Sequence, residues 1–568
     1  MRPEPIMDFD AIVVGSGISG GWVAKELCER GLKTLIIERG RNVKHGSDYQ
    51  DFAAPWEVAN RGKVPEDEQA QHYAIQSNSH AFNAATKQWW VRDDEHPYSM
   101  PGDRPFHWIR GYHLGGRSIT WGRQTYRMSD YDFNANKADG HGVDWPIRYA
   151  DLAPWYDHVE RFAGVSGASE GLEQLPDGQF LPAMSLNCLE LAFKDTVEQR
   201  HPTRRITIGR CTHLTEPRPE HIALGRGPCQ LRDVCERGCS YGAYFSSLSA
   251  TLPAARNTGK LTVVTDAIVD KLEYDPVKRA ISGVRVIDSN TREGRTYRAR
   301  VVFLCASTIA TAQILLASRS EQFPKGLANR SDAVGRNLMD HVVGIGASGT
   351  HPGFRDRYYY GRRPTGFYLP RYANITENDG EFLRGFGFQG YTSRSSWWRG
   401  ANEAGVGAEL KDRLRSPGRW EMHLIAFGEM LPRADNRVTL EEGRRDKWGL
   451  PLVHVDCTHG ENERRLGERA NRDAVQMLAA AGFENIAVRG PVKPPGHCVH
   501  EMGTARMGRD PSTSVLNGHN RAHDVPNLFI TDGSCMSSSG TVNPSLTYMA
   551  LSARAANHAA DLLAAGEL

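Results

Sequence analysis

The sequence has neither an excess of charge of one sign nor a long apolar run. Lys and Arg total 69 against 67 Asp and Glu, which gives a formal net charge of +2. This balance gives no electrostatic reason to expect a nucleic-acid-binding protein or a polybasic membrane-surface protein. No apolar stretch reaches the roughly 18 residues that a membrane-spanning helix requires. We therefore expect no nucleic-acid partner and no direct membrane span.

Cysteine is also scarce, with ten residues in 568, which is too few for a disulfide-built fold. Three of the ten nevertheless fall within eleven residues, at Cys229, Cys235 and Cys239. The first ten residues lack the basic start and apolar stretch of a secretion signal, and they contain no twin-arginine pair. We therefore expect the chain to carry no export signal of its own.

The overall composition is that of a globular enzyme. Apolar residues make up 40% and charged residues 24% of the chain, which excludes bulk disorder. At about 150 residues per domain, the length suits three or four units or one large two-domain enzyme. Glycine is in excess, at 57 residues, and this indicates many tight turns and close approaches of the backbone to a ligand.

A strand–helix–strand unit is indicated near the N-terminus. Residues 10–14 form a short, β-branched apolar run that is typical of a buried parallel strand. Residues 21–31 predict a helix closed by Gly31, and residues 32–38 predict a second strand. Their order and lengths match the βαβ unit that binds dinucleotides.

The turn in this unit carries the glycines that a dinucleotide requires. In Gly15-x-Gly17-x-x-Gly20, the first glycine makes the turn, the second admits a pyrophosphate, and the third lets helix and strand pack closely. Glu38 ends the second strand, where it can accept the ribose hydroxyls, and Arg39 follows it. The long insertion after this unit favours tightly bound FAD over exchangeable NAD.

The remaining segments predict a mixture of helices, strands and loops. Residues 41–110 are polar and irregular, and residues 111–125 hold a second glycine-rich turn. The later segments are a helical stretch at 145–205, a β-meander returning to the parallel sheet at 261–304, a strand- and loop-rich stretch at 340–460 with aromatic clusters at 358–360 and 397–398, a helix at 461–482, a buried strand at 527–534 and a closing helix at 543–565.

Five motifs together resemble those of the glucose–methanol–choline (GMC) family of FAD oxidoreductases. In order, they are DAIVVGSGISGG, GYHLGGRSITWGR, VGRNLMDH, HEMGTARMG and TDGSCMSSSGTVNPSLTYMAL. They span residues 10–551, so the resemblance covers nearly the whole chain. Among the branches of the family, the chain is most similar to bacterial flavoprotein sugar dehydrogenases, with the pyranose and C-glycoside 3-oxidases nearby.

The resemblance implies a mixed α/β (α+β) fold with two interleaved domains. One is a Rossmann-like FAD-binding domain, and the other is a substrate-binding domain made of a β-sheet and helices. The division we expect is 1–45, 105–145, 206–340 and 491–568 for the FAD-binding domain, which includes the cysteine-rich loop 226–242, and 46–104, 146–205 and 341–490 for the substrate-binding domain and insertions.

The same resemblance places the catalytic residues at His500 and Asn543. His500 opens the HEMGTARMG stretch at the position of the family's active-site histidine, and Asn543 matches the second member of the family's His–Asn pair. Oxidation of a secondary alcohol removes the hydroxyl proton while hydride passes to flavin N5, and neutral imidazole titrates in the range of such a base. The amide of Asn543 can donate to the same oxygen. His497 and His519 do not match the motif and are expected to be structural, whereas Glu429 is a polar contact by family position only.

Further FAD contacts are implied by the matching motifs. Thr120 stands where pyranose oxidases carry a histidine bonded to the flavin, so we expect non-covalent FAD. The residues assigned to the cofactor in this way, besides those of the first turn, are Gly115, Gly116, Ser118, Val269, Asp532, Gly533, Asn543 and Pro544.

The three clustered cysteines suit an iron–sulfur cluster. Cys229, Cys235 and Cys239 lie on one compact loop, and the arginines within residues 226–237 would offset the negative charge of a cluster. The resembled sugar dehydrogenases hold a [3Fe-4S] cluster in this region with the same spacing, which implies a three-iron cluster here. Two alternatives stay open, a zinc site completed by a histidine and a chance cluster of buried cysteines. A zinc site would usually show a CxxC knuckle, which this loop lacks.

Aromatic side chains supply candidate sugar-stacking residues, although an individual aromatic is more often part of a core. The candidates are Trp89, Trp90, Trp108, Trp121, Tyr391, Trp397 and Trp398.

Taken together, the motifs predict an FAD-dependent dehydrogenase that oxidises a secondary hydroxyl of a sugar or glycoside, with C3 of a glucopyranoside as the expected position. Electrons would leave through the cluster to cytochrome c.

The sugar dehydrogenases that the chain resembles work with a small subunit that carries a Tat signal. We therefore expect a periplasmic location by co-export with such a partner, and otherwise a cytoplasmic one. The alternatives are a glucose 1-dehydrogenase, a gluconate 2-dehydrogenase subunit, an O2-using pyranose or C-glycoside 3-oxidase, and a non-catalytic flavin-stabilised subunit. Retention of His500 and Asn543 counts against the last.

Overall fold

The computed structural model describes residues 8–54, 56–357, 365–375, 380–394, 399–400 and 403–568. The aromatic cluster at 358–360 and the candidates Trp397 and Trp398 lie outside these residues.

The described residues form sixteen strands, which make four sheets. In chain order they are β1 Phe9–Val14, β2 Thr34–Ile37, β3 Thr207–Ile208, β4 Leu261–Val264, β5 Ala267–Asp275, β6 Ala280–Asp288, β7 Gly294–Tyr297, β8 Ala299–Leu304, β9 Gly346–His351, β10 Phe367–Leu369, β11 Phe386–Arg394, β12 Trp420–Gly428, β13 Arg437–Arg445, β14 Pro451–Asp456, β15 Glu484–Val488 and β16 Leu528–Ile530.

Twelve α-helices occur in the same described residues. They are α1 Ile18–Glu29, α2 Glu66–His72, α3 Asp130–Phe133, α4 Ala135–Asp139, α5 Tyr149–Ala163, α6 Cys188–Arg200, α7 Pro219–Ala223, α8 Thr251–Asn257, α9 Thr308–Ala317, α10 Gly407–Arg415, α11 Glu461–Ala480 and α12 Ser545–Ala565.

A five-stranded parallel sheet, in the order β16-β8-β1-β2-β4, contains the predicted N-terminal unit. Strand β1 lies in the middle, and its residues from Ala11 to Val14 are buried, as a sheet covered on both faces requires. Helix α1 packs against α12 and α8. The predicted strand, helix and second strand are therefore confirmed. The helix starts three residues earlier than expected and ends at Glu29, before Gly31.

A six-stranded antiparallel sheet, in the order β15-β9-β12-β11-β10-β3, forms the second layer of strands. Along β12, residues alternate between buried and half-buried, because successive side chains point to opposite faces of a sheet. Helix α11 packs against β9 and β12. The half-buried face carries Phe427 and, on the neighbouring β11, Gln389.

The predicted meander at 261–304 is only partly correct. Strands β5, β6 and β7 form an antiparallel three-stranded sheet, as expected. Strand β8 returns to the parallel sheet, also as expected. Strand β4, however, pairs with β2 and belongs to the parallel sheet instead of the meander. A short apolar run can form a strand of a parallel sheet or of an antiparallel meander, so its sequence pattern alone did not distinguish β4 from the meander strands.

The predicted helical stretch at 145–205 is also interrupted. Helices α5 and α6 occupy its two ends, while residues 164–187 between them are irregular. Four glycines and two prolines occur within that segment, and these residues disfavour a helix interior.

The small strand β3 lies in residues 206–340, which were assigned to the FAD-binding domain, yet it pairs with β10 of the antiparallel sheet. The division of the chain into two interleaved domains stays a prediction. None of the helices in the described part of the chain combines the length and apolar character needed to cross a lipid bilayer.

Candidate active site

A long cleft opens at the carboxyl ends of the parallel strands, where ligands bind in α/β sheets of this kind. Residues that follow β1, β2, β8 and β16 line it, and Val269 of β5 contributes to its wall. Its empty volume is about 1730 Å3 and opens to solvent. The lining extends from the first glycine turn to His500 and Asn543, so one long cofactor and a substrate could contact it together.

The first glycine turn is shaped to admit a phosphate group. Gly15 has a φ of +95°, and a Cβ on it would lie 2.4 Å from the carbonyl oxygen of Cys305. A Cβ on Gly20 would lie 1.9 Å from the carbonyl oxygen of Gly15, so helix and strand need a glycine there. A Cβ on Gly17, in contrast, would meet no atom within 4 Å. Helix α1 begins at the next residue without a side-chain cap, so its first N–H groups are available to an anion in the cleft.

A buried carboxylate stands beside this turn, as predicted. Glu38 accepts hydrogen bonds from Ser16 N (3.1 Å), Ser16 Oγ (2.5 Å) and Gly40 N (2.9 Å). Burial raises the pKa of Glu38 above its ordinary value. Two carboxylate oxygens offer about four acceptor positions, so the group can accept a further hydroxyl.

A second glycine turn packs directly against the first. Gly115 has a φ of +85°, and its N–H donates to Ser16 Oγ at 2.9 Å. A Cβ on Gly116 would lie 3.2 Å from the Cα of Gly17. Ser118 fixes the turn by donating to the carbonyl oxygen of Gly115 at 2.5 Å. The two turns thus form one continuous glycine-rich wall.

The turn after β16 supplies a second buried acid. Asp532 accepts from Thr311 Oγ1 at 2.6 Å and from Ser534 N at 3.0 Å, and burial raises its pKa. A Cβ on Gly533 would lie 2.4 Å from the carbonyl oxygen of Glu501. This glycine therefore lets the turn pack against the residue that follows His500.

Most of the predicted site residues meet in the cleft. Those that line it are Gly15, Gly17, Glu38, Arg39, Gly116, Ser118, Val269, His500, Asp532, Gly533 and Asn543. Three others lie behind the lining. Gly20 and Gly115 support the two turns, and Pro544 starts α12, where its carbonyl oxygen accepts from Tyr548 N at 3.0 Å. The Arg39 guanidinium lies over the ring of Tyr112, 4.6 Å from its centroid.

His500 and Asn543 line the same cleft and each has a side-chain partner. The Nδ1 atom of His500 lies 2.8 Å from Nδ1 of His341. Gln389 Nε2 donates to Asn543 Oδ1 at 2.5 Å, which leaves the amide N–H groups of Asn543 for another partner. The ring of Phe427 is 6.3 Å from that of His500. The arrangement offers a base, a hydrogen-bond donor and an apolar wall to one substrate.

Burial keeps His500 neutral. Burial, with further contributions from His341 and Arg117, lowers the pKa of His500 well below its ordinary value. A neutral imidazole is the form that accepts a proton. The residue can therefore act as a base across the neutral pH range.

An aspartate that the sequence analysis missed holds the backbone beside His500. Asp340 accepts from the backbone N–H groups of Gly496 (2.7 Å), Cys498 (3.1 Å) and His500 (3.0 Å). Burial, together with the charge of Glu501, raises the pKa of Asp340 to about 7. Asp340 and His341 both belong to the VGRNLMDH motif, so the motif was the available signal. Gln389 had no such signal, because only the long-range pairing of β11 brings it to Asn543.

The cysteine loop lies directly behind one wall of the cleft. Arg123 lines the cleft, and its guanidinium is 3.7 Å from the carboxylate of Glu236 on the loop. The Sγ atom of Cys235 lies 3.8 Å from His213 Nε2. Burial raises the pKa of Cys235 to about 11, although Arg123 opposes this shift.

Two of the loop's arginines have hydrogen-bond partners outside the loop. Arg232 binds Asp51 at 2.6 Å, and Arg237 donates to the carbonyl oxygen of Ala53. Arg226 is fully buried and, among the described residues, its hydrogen bonds go only to carbonyl oxygens. Burial lowers the pKa of Arg226 to about 9, and Cys239 opposes the shift. Positive charge near the cysteines therefore comes from Arg226 and Arg232 beside Cys239 and, beside Cys235, from Arg123, which the sequence analysis did not name.

The donor atoms of the three cysteines do not converge tightly. In the described part of the chain, the one group of three potential ligands whose donor atoms all lie within 4.8 Å of one another is His341, Cys498 and His500. Ligands of a single tetrahedral zinc, at about 2.3 Å from the metal, have sulfur atoms roughly 3.8 Å apart. The cysteine loop as placed does not fit a mononuclear zinc site.

The aromatic candidates divide between cleft and core. Trp90, Trp108 and Trp121 line the cleft, whereas Trp89 is buried in the core. Tyr391 lies on the half-buried face of β11, where it stacks on His423 at 4.9 Å.

Other side chains singled out in the sequence lie away from the cleft lining. Glu429 is fully buried and accepts from Arg384 at 2.7 Å. His497 lies 3.3 Å from His107, and His519 stacks on His558 at 4.1 Å. The structural interpretation of both histidines fits these positions.

The chain matches family models along most of its length. Residues 9–343 match the N-terminal GMC oxidoreductase model and residues 432–552 match the C-terminal one. A likeness to the crystal structure of pyridoxine 4-oxidase from Mesorbium loti covers 97% of this chain and 98% of that chain, with a TM-score of 0.60 and 17% identity. At this identity the likeness establishes the fold alone.

Three curated relatives match over nearly the full length. The fructose dehydrogenase large subunit of Gluconobacter japonicus is 27% identical over 97% of each chain. The 2-methyl-1,2-propanediol dehydrogenase of Mycolicibacterium austroafricanum is 28% identical over 97% of this chain and 94% of that protein. The paromamine 6'-oxidase of Streptomyces fradiae is 28% identical over 96% and 90%. The expected mixed α/β fold and family are confirmed.

Proposed function

The chain belongs to the GMC oxidoreductase family and is an FAD-dependent enzyme acting on CH–OH groups, and on this premise we propose that it is a dehydrogenase of a secondary hydroxyl on a sugar or glycoside. The observation that carries the proposal is the meeting of His500 and Asn543 in the cleft that begins at the dinucleotide turn. The fructose-oxidising relative supports a sugar.

The residues in the cleft suit FAD and a hydroxyl substrate. Bound FAD supplies a two-electron acceptor for hydride. The open space at Gly17 and the N-terminus of α1 would hold the pyrophosphate, and Glu38 would accept the ribose hydroxyls. His500 would take the hydroxyl proton, and the amide of Asn543 would donate to the same oxygen and orient it.

We propose that the FAD is not covalently linked. Thr120 lines the cleft at the position where a histidine links the flavin in pyranose oxidases, and a threonine hydroxyl offers no comparable nucleophile. Acid precipitation should leave yellow flavin in the supernatant. Flavin that stays with the protein pellet through washing in denaturant would contradict the proposal.

We propose that Cys229, Cys235 and Cys239 would hold a [3Fe-4S] cluster, which would supply a one-electron carrier beside the cleft. The buried cations Arg123 and Arg226 support an anionic group at this loop. A cluster with one thiolate on each of several irons needs no tight convergence of the sulfur atoms. Protein purified without oxygen should contain about three irons per chain and give an EPR signal when oxidised. Stoichiometric zinc without iron would favour the zinc alternative, and no metal would favour structural cysteines.

We propose that the cysteine loop faces a redox partner, a small Tat-signal-bearing subunit with a cytochrome c as acceptor. Exposed apolar side chains lie on and beside the loop. Leu231 and Tyr241 of the loop are 41% and 38% exposed, and Phe52, whose ring lies next to that of Tyr241, is 68% exposed. A relative that is named a large subunit supports an assembly of several chains. Co-expression with the small subunit should move the enzyme to the periplasm, and mutation of that subunit's twin arginines should keep it in the cytoplasm.

We propose C3 of a glucopyranoside as the oxidised position. Oxidation at C3 leaves the anomeric centre untouched, so methyl glucoside should be turned over with a dye acceptor to a 3-keto product identified by NMR. Glucose and gluconate serve as the parallel substrates. Turnover of glucose to gluconolactone with none of methyl glucoside would indicate a glucose 1-dehydrogenase. Turnover of gluconate alone would indicate the 2-dehydrogenase, and stoichiometric hydrogen peroxide without dye would indicate an oxidase.

A further inference from the structure

We propose that His341 is a positioning residue that holds the proton of His500 on Nδ1, so that the lone pair of His500 Nε2 faces the cleft. The proposal rests on the proposed role of His500 as the base. His341 touches His500 and does not itself line the cleft.

The orientation of His341 follows from its hydrogen bonding to the backbone carbonyls of Ser539 and Gly540. Its Nε2 atom lies 3.0 Å from the carbonyl oxygen of Gly540. A carbonyl oxygen only accepts, so Nε2 of His341 must carry a proton. Burial lowers the pKa of His341 to about 4, so the ring is neutral near pH 7. A neutral imidazole has one donor and one acceptor, and Nδ1 of His341 is therefore the acceptor.

The tautomer of His500 is then determined. The two Nδ1 atoms are 2.8 Å apart, and the rings are nearly perpendicular, at 88°. Because His341 can only accept at this position, His500 donates from Nδ1. Neutral His500 consequently has no proton on Nε2. Among the described residues no hydrogen bond is made to this Nε2 atom, and His500 lines the cleft.

Two competing interpretations of this contact are weaker. The Sγ atom of Cys498 lies 3.2 Å from His500 Nδ1, but burial raises the pKa of Cys498 well above its ordinary value, and a thiol sulfur is only a weak acceptor. A metal held by His341, Cys498 and His500 would place its nitrogen ligands about 3.3 Å apart at tetrahedral geometry. The separation of 2.8 Å is that of a hydrogen bond.

The inferred tautomer gives the reaction its proton acceptor. His500 Nε2 would take the hydroxyl proton of the substrate. The carbon-bound hydrogen would leave as hydride, for which bound FAD would supply the two-electron acceptor, and the alcohol carbon would become a carbonyl. The imidazolium so formed still donates from Nδ1 to His341. The contact with His341 thus persists in both protonation states and needs no rearrangement during the step.

Two substitutions distinguish the hydrogen-bond acceptor at His341 Nδ1 from the other contacts of this side chain. His341→Leu removes the contact with His500 and the hydrogen bonding to the backbone carbonyls of Ser539 and Gly540. His341→Asn also loses the bond to Gly540 but keeps an acceptor oxygen near the position of Nδ1. We expect His341→Leu to lower kcat by about 10–100-fold, the scale for a residue that orients a functional group, with KM and FAD content little changed. His341→Asn should retain most of kcat. Equal losses in the two variants would overturn the proposal.

A readout independent of turnover is the protonation of His500 itself. Solid-state NMR of protein labelled with 15N at histidine Nδ1, taken as a difference from His500→Gln, should show a protonated Nδ1 in wild type and in His341→Asn. An unprotonated Nδ1 in wild type, or stoichiometric zinc lost on His341→Leu, would overturn the proposal. Near-normal turnover by His500→Ala would refute the proposed base but would leave the NMR result standing.

Discussion

The His500 end of the cleft buries neutral side chains, whereas the cysteine loop buries a cation. At the first, burial lowers the pKa of both His500 and His341, so the two rings stay neutral. At the second, Arg226 is buried as a cation with only carbonyl oxygens as hydrogen-bond partners among the described residues. A neutral base suits the removal of a proton together with a hydride. A buried cation without a carboxylate favours an anionic group beside it.

Removal of the proposed base should have the largest effect on turnover. We expect His500→Ala to lower kcat by about 10²–10⁴-fold with FAD still bound, the usual scale for loss of a general base. Stopped-flow measurement of flavin bleaching would locate the defect in the reductive half-reaction. His497→Ala is the matched control, because His497 lies in the same loop outside the cleft lining. A His500 variant with near-normal turnover would mean that another group takes the proton.

Substitution of the neighbouring amide side chains should lower kcat by a smaller factor. Asn543→Ala should lower kcat by roughly 10–100-fold, since it removes a donor that orients the substrate oxygen. Gln389→Ala should cost less, because Gln389 touches Asn543 and acts through it. The two effects should fail to add in the double variant. Fully additive losses would show that Gln389 has a separate role.

The pH dependence of stability should show the neutral character of the His500 end. The pKa of His341 is about 4 in the folded chain, against an ordinary value of 6.5. The contribution of neutral, buried His341 to the free energy of unfolding is therefore complete above pH 6.5. As the pH falls towards 4, the free energy of unfolding decreases by up to about 3 kcal/mol. Urea unfolding at pH 7.5 and pH 5 should show a smaller loss in His341→Leu than in wild type. Identical losses in the two proteins would contradict this assignment.

The parallel sheet and its turns could be predicted because their signals are local. Gly15, Gly17, Gly20 and Glu38 lie within 24 residues, and each has a stereochemical reason to occupy its position. His500 and Asn543 were found through family motifs, which also contained His341 and Asp340. Their roles became visible only when β-strand pairing and loop packing had placed their donors and acceptors.

The antiparallel sheet was much less predictable. Gln389 reaches Asn543 across 154 residues of sequence, and no periodicity encodes that contact. Likewise, the cation at the cysteine loop is partly supplied by Arg123, more than a hundred residues before Cys229. Local patterns identify strands and turns, whereas partners of this kind depend on how distant segments meet.

In the proposed function, the cleft carries out hydride removal while the cysteine loop serves only the exit of electrons. The most direct test is anaerobic mixing of the Cys235→Ser variant, loaded with FAD, with the sugar that the substrate panel selects, followed by steady-state turnover with cytochrome c. This division of roles predicts that the flavin bleaches at close to the wild-type rate while turnover with cytochrome c collapses. Flavin reduction that fails along with turnover in a folded variant, or turnover that continues unchanged, would contradict it.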